Sequence, residues 1–171
     1  MDQQTESAVS AVQSQFQGLK LPRWAELPDL ELYMDQVLSL TERFLGDYPG
    51  FDGRGLTASM VNNYVKLGVM PKPVKKRYTR EHLAYLIMIC VLKASLPMGA
   101  IRALMARETA GCGPGDVYDR FCDAFERAEK DTAAAYAAAA SDAETVFRAA
   151  LRARAEQGVA LRLSAALEKK N

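Results

Sequence analysis

The sequence predicts a mainly α protein that carries a short β wing, a winged helix-turn-helix with a helical hairpin or one long helix appended at its C-terminal end. Three observations lead there. Between Leu56 and Leu104 the chain reads LTASMVNNYVKLGVMPKPVKKRYTREHLAYLIMICVLKASLPMGAIRAL. This is a short polar helix, a Pro-broken basic hairpin, a long apolar helix and a short closing helix, the order in which such a fold offers one helix and one wing to DNA. Within the same window eight basic residues stand against the single acid Glu81, although the whole chain of 171 residues has a net charge of only +1. Segmental asymmetry of this kind points to an anionic partner. Finally, the longest apolar run, Leu83 to Leu92, is half of the roughly 20 residues that span a bilayer, so it reads as a buried central helix.

The elements follow in order. Residues 1–20 form a flexible polar leader with neither the basic nor the apolar region of a signal peptide, so a cytoplasmic protein without a membrane anchor is expected. The Pro-punctuated LPRWAELPDL can dock Leu21, Trp24 and Leu27 on a core, with Asp29 capping a first helix over about 30–45. In that helix Leu30, Tyr33, Met34, Val37, Leu40, Phe44 and Leu45 keep helical spacing, and Gly46 ends it. Four glycines and a proline make GDYPGFDGRG a loop. Thr57 or Ser59 then caps a second helix over about 57–67, whose apolar side is Met60, Val61, Tyr64, Val65 and Leu67 and whose stop is Gly68. Pro71 and Pro73 forbid a helix and demote any strand to an edge, so 71–78 is a short wing or an extended basic loop. Thr79 caps a third helix, about 80–94 and apolar nearly all round, as befits the centre of a core. Pro97 starts a shorter helix with Met98, Ile101, Leu104 and Met105.

The link ETAGCGPG divides this unit, residues 21–107, from a helical tail, residues 108–171. In the tail, from Gly115 on, Val117, Phe121, Phe125 and Ala128 step by about a turn, and Asp123 with Arg127 and Glu126 with Lys130 are spaced for i, i+4 pairs on a solvent face. Ser141 and Glu144 have the spacing of a capping box, which would fold the tail into a hairpin; one continuous helix over 116–157 is the alternative. Cys90, Cys112 and Cys122 lack C-x-x-C spacing, and His82 is the chain's one histidine, so no metal or cofactor is expected. Cys90 and Cys122 read as buried hydrophobes and Cys112 as exposed.

Residues 57–104 resemble the winged-helix domain of the MerR superfamily. The matching pieces are Tyr64, Gly68-Val69, Pro71, then Arg77-Tyr78-Thr79 and Leu83. The blocks LPDLELYMDQV and LTASMVNNYVKLGVMPKPVKKRYTREHLAYLIMICVLK look like an uncharacterised bacterial family, domain of unknown function 1836, sometimes called YkrK-like, over about 21–130. The first resemblance implies a bacterial DNA-binding transcriptional regulator. Asn62 and Asn63 stand where the superfamily commonly has Arg and an aromatic residue, and the wing lacks its usual Gly turn.

The chemistry of the polar residues is consistent with that implication. With the helix about 57–67 in the major groove, Asn62 and Asn63 can pair bidentately with adenine, while Ser59 and Lys66 reach phosphate or base edges. Lys72, Lys75, Lys76, Arg77 and Arg80 would mainly neutralise phosphates. Tyr64, Tyr78 and Tyr85 are expected in the core and not as a base-stacking platform. Double-stranded DNA is thus the expected partner, and a second copy of the chain, paired through the C-terminal helices, is a further candidate. An alternative from another class is a non-enzymatic protein-interaction or adaptor module whose basic wing meets an acidic partner. No enzyme is expected, since no Gly-rich phosphate loop is present and His82 has no evident nucleophile beside it.

Overall fold

A computed structural model of the chain describes residues 20–46, 48, 55–136 and 143–168. It is mainly helical. A 3-10 turn, Trp24–Glu26, precedes six α-helices: α1 Met34–Leu45, α2 Ala58–Lys66, α3 Arg80–Leu92, α4 Met98–Glu108, α5 Pro114–Tyr136 and α6 Ala143–Glu168. No helix among the described residues is long and apolar enough to cross a membrane. The leader expected over 1–20, all but Lys20, lies outside the described residues, as does Ser141 of the expected capping box.

Helix α3 is the hub. Every residue from His82 to Cys90 is buried, which matches a sequence with no polar face to turn outward. Helices α1 and α5 both pack on it, and α1 also meets α2. Truncating Leu86 or Ile89, both fully buried, to alanine removes packing worth about 2–5 kcal/mol. The buried cluster draws on both sides of position 107, since Tyr118, Cys122 and Phe125 of α5 belong to it together with Leu21 and Leu27. Among the described residues the tail contributes α5, Pro114–Tyr136, and α6, Ala143–Glu168, and α6 packs along α4; the point between them where the chain would turn back or continue lies outside the described residues.

Several local signals act where the sequence puts them. Thr57 accepts a hydrogen bond from the Met60 N–H (3.2 Å), so it caps α2. Gly68 sits at φ 69°, where L side chains are strained. Around it Val69 N–H donates to the Tyr64 carbonyl (3.0 Å) and Gly68 N–H to the Val65 carbonyl (3.1 Å), the two bonds of a Schellman stop. Cys90 and Cys122 are buried and Cys112 is exposed.

Two expectations are corrected. Asp29 does not cap α1, which starts at Met34 and not near 30: Leu32 and Tyr78 exchange both backbone hydrogen bonds (2.7 and 2.8 Å), and this antiparallel bridge keeps Leu32 out of the helix. Tyr33 becomes the N-cap residue, its N–H donating to Gln36 Oε1 (2.8 Å). Nor do residues 71–78 form paired strands. Val74 and Arg77 make one isolated bridge around Lys75 and Lys76, and no strand is present among the described residues. Two prolines in three positions leave too few free N–H groups for a longer ladder.

Candidate nucleic-acid interface

Helix α2 separates its residues by face. Val61 and Tyr64 point into the core, and burial beside Cys90 pushes the Tyr64 hydroxyl pKa up to about 12. Ser59, Asn62, Asn63 and Lys66, at spacing i, i+3, i+4, i+7, are all exposed on the other side. The two side-chain amides thus stand exposed on one helical face with no hydrogen-bond partner among the described residues. Tyr78 and Tyr85 are buried with Tyr64, as expected of core tyrosines.

Six residues beyond Lys66 lies Lys72, followed by the tight turn that carries Lys75 and Lys76. The Arg77 N–H donates to the Val74 carbonyl (2.8 Å), closing a two-residue loop in which Lys75 has φ 49° and Lys76 φ 62°. Positive φ at both central positions is the condition of a type I′ turn, which normally selects Asn and Gly. Two lysines there carry strain of about 1–2 kcal/mol each. Lys66, Lys72, Lys75 and Lys76 are exposed, and none of them pairs with an acid among the described residues.

The two arginines are placed differently. Arg77 lies with its guanidinium 3.6 Å from the centre of the Tyr33 ring, a cation–π contact that orients it along the turn. Arg80 is turned away: Nη2 is 3.5 Å from Asp29 Oδ2, its guanidinium lies 5.5 Å from the Trp24 ring, and its Nε is buried without a partner. A cavity of about 350 Å³ beside Arg80 is ringed by Asp29, Glu31 and Glu81, which makes it hostile to phosphate. Seven of the nine candidate residues are therefore exposed and without a side-chain ion pair among the described residues, Arg77 is half-buried on a ring, and Arg80 is engaged in the fold.

Sequence reasoning missed Tyr33, assigned to a buried helical stripe but half exposed under Arg77. The available signal was Gln36, three residues on, which marks position 33 as a helix entry. Among the described residues no group of His, Cys, Asp and Glu side chains is placed to hold a metal ion.

The model of one family, described as a domain of unknown function (DUF1836), matches residues 22–121. No curated protein and no solved structure matches the chain.

Proposed function

Since the chain belongs to the DUF1836 family, whose description assigns no activity, we propose its function from its own residues: sequence-specific binding of double-stranded DNA by a bacterial transcriptional regulator of MerR-like, winged helix-turn-helix design. In this reading α2 enters the major groove and the basic turn serves as a minimal wing. The observation that carries it is the exposed face Ser59, Asn62, Asn63 and Lys66, followed within ten residues by three further unpaired lysines, Lys72, Lys75 and Lys76. Amides on a helix face have the donor and acceptor pattern for the adenine edge. Unpaired lysines release counterions when they neutralise phosphates, which gives affinity and register without sequence information. Arg77, held on Tyr33, would meet the backbone from a fixed direction. Arg80 has no part in contact, because its charge already faces Asp29.

The test is fluorescence anisotropy of the purified protein on duplexes from its own upstream region and on scrambled controls, titrated from about 50 to about 200 mM salt. Preference for the native duplex with steep loss of affinity as salt rises is expected. Absence of binding at the lowest salt would overturn the reading and leave the adaptor alternative, in which the same lysines meet an acidic protein.

A further inference from the structure

The segment that joins α2 to the basic turn is also one wall of a cavity. Residues 68–71 lie over Tyr85 of α3 and one face of α4, and the space between them measures about 240 Å³. Its deeper lining is apolar, since Val69, Met70, Tyr85 and Met105 are all buried. Small residues keep it open. A Cβ at Gly68 would meet no atom within 4 Å, and on α4 the exposed Ala106 ends one carbon from the backbone. One charged side chain belongs to the lining. Arg102 stands one turn before Ala106 on the same face of α4, exposed and without an ion pair among the described residues. The one acid of α4, Glu108, is paired with Arg120 (3.1 Å), and no acid lines the cavity. Lys66 and Lys72 flank the joint in sequence and add to the positive field. The cavity beside Arg80 has the opposite balance, Asp29, Glu31 and Glu81 against one base.

We propose that this cavity is a binding site for a small aromatic carboxylate, its ring against Met70 and Met105 and its carboxylate on Arg102. Methionine walls favour a ring, because a polarisable thioether packs well on the edge of an aromatic. A planar guanidinium matches the two oxygens of a carboxylate with two parallel N–H groups. A phosphate ester fits less well, since one guanidinium leaves its second charge uncompensated beside apolar walls. Size points the same way. Pockets for drug-sized ligands begin at roughly 300 Å³, and about 240 Å³ accepts one ring with its acid group but no nucleotide. The position gives the occupant leverage, because residues 68–71 are the covalent link between α2 and the turn and begin at the Schellman stop of α2. A ligand seated on Val69 and Met70 ties that link to α4. It thereby acts as an effector of whatever α2 and the turn grip, while the site itself does not depend on the DNA reading.

The test contains no DNA. Benzoate is titrated into the isotope-labelled full chain and followed by amide resonances, with benzamide and benzylamine as neutral and cationic controls on the same ring. Saturable shifts centred on Gly68–Met70 and Arg102–Ala106 are expected, with benzoate bound at least about tenfold more tightly than benzamide and benzylamine weakest. Arg102→Gln should lower benzoate affinity at least about tenfold and erase its preference over benzamide. Ala106→Trp, which fills the cavity from an exposed helical position, should abolish binding of both. Either variant should keep the parent's resonances away from the cavity. Shifts that do not saturate or that centre elsewhere, equal affinity for benzoate and benzamide, or an Arg102→Gln protein that binds benzoate as tightly as the parent would overturn the proposal and leave the DNA reading standing.

Discussion

At the first turn of α3 the His82 ring fills the place that Glu or Gln takes in a capping box: its Nδ1 accepts from the Thr79 N–H at 3.0 Å and lies 2.9 Å from the Thr79 hydroxyl. With Nδ1 occupied, the neutral ring carries its proton on Nε2, which is buried, faces the Lys72 carbonyl and closes no hydrogen bond with it. Tyr78 stands edge-on to the ring, with centroids 5.5 Å apart. Burial lowers the His82 pKa from its ordinary 6.5. The folded protein therefore binds fewer protons than the unfolded chain once pH drops below about 6.5, and stability falls with a limiting slope of about 1.4 kcal/mol per pH unit until the folded-state pKa is passed. Denaturant midpoints followed from pH 8 to pH 5 should show this decline, and His82→Gln, which keeps an acceptor for Thr79, should flatten it; an identical decline in the variant would refute the assignment. Tyr118 offers a second residue-scale test. It is fully buried, and its hydroxyl faces the Cys122 thiol, a weak acceptor, with no nitrogen or oxygen partner among the described residues, so Tyr118→Phe should change thermal stability by no more than about 1 kcal/mol. A larger loss would mean that the hydroxyl is held by more than the thiol.

At the scale of elements, the basic turn sets backbone comfort against charge. Replacing Lys75 by Asn and Lys76 by Gly relieves two positive-φ side chains and should raise the free energy of unfolding by about 1 kcal/mol or more. In the DNA reading the same change lowers affinity, so stability and binding should move in opposite directions; a variant that binds as tightly as the parent would remove the turn from the interface. Alanine at both lysines should weaken binding evenly across sequences and reduce the salt slope by about 2, whereas Asn62→Ala should cost about 1–3 kcal/mol of discrimination at one base pair. Equal effects from the two changes would count against a major-groove helix. These elements were legible in the sequence to the extent that their causes are local. Thr57, Gly68 and Thr79 punctuate the chain through hydrogen bonds and φ angles within a few residues, and the two faces of α2 follow from its period alone. The start of α1 was not legible, because the bridge that delays it joins Leu32 to Tyr78, 46 positions further on, and no pattern near residue 30 reports that pairing.

At the scale of the molecule, the N-terminal segment and α5 are fastened together. Arg23 reaches Asp123 (2.6 Å) and Glu126 (3.0 Å), the two acids that sequence spacing assigned to Arg127 and Lys130; a forked guanidinium satisfies both where a single i, i+4 pair satisfies one. The Trp24 N–H donates to Asp119 Oδ1 (2.8 Å), and its indole covers Gly115 so closely that an added Cβ would lie 3.1 Å from the ring. Gly115→Ala should therefore fail to give the gain of about 1 kcal/mol that an open helical glycine offers, and calorimetry should find a neutral or lower melting temperature. A gain of the full amount would show that the indole yields easily. Helix α5 could be read as helical, with Cys122 buried, but not as fastened to the N-terminal segment, since that contact joins residues a hundred positions apart. The candidate residues, by contrast, lie within one stretch of about twenty, where charge and period alone pointed to nine positions, seven of which are exposed.

The same fastening imposes an order on synthesis. Trp24 and the buried Leu21 and Leu27 leave the ribosome long before the residues that cover them, because Asp119, Asp123 and Glu126 are translated about a hundred codons later. For the interval between, the nascent chain carries an uncovered apolar stretch over residues 21–27, and long-range closure of this kind belongs to the last stage of folding. Nascent chains arrested with residue 126 still inside the ribosome and with it fully emerged should thus differ around Trp24, which is accessible to a quencher in the first and shielded in the second.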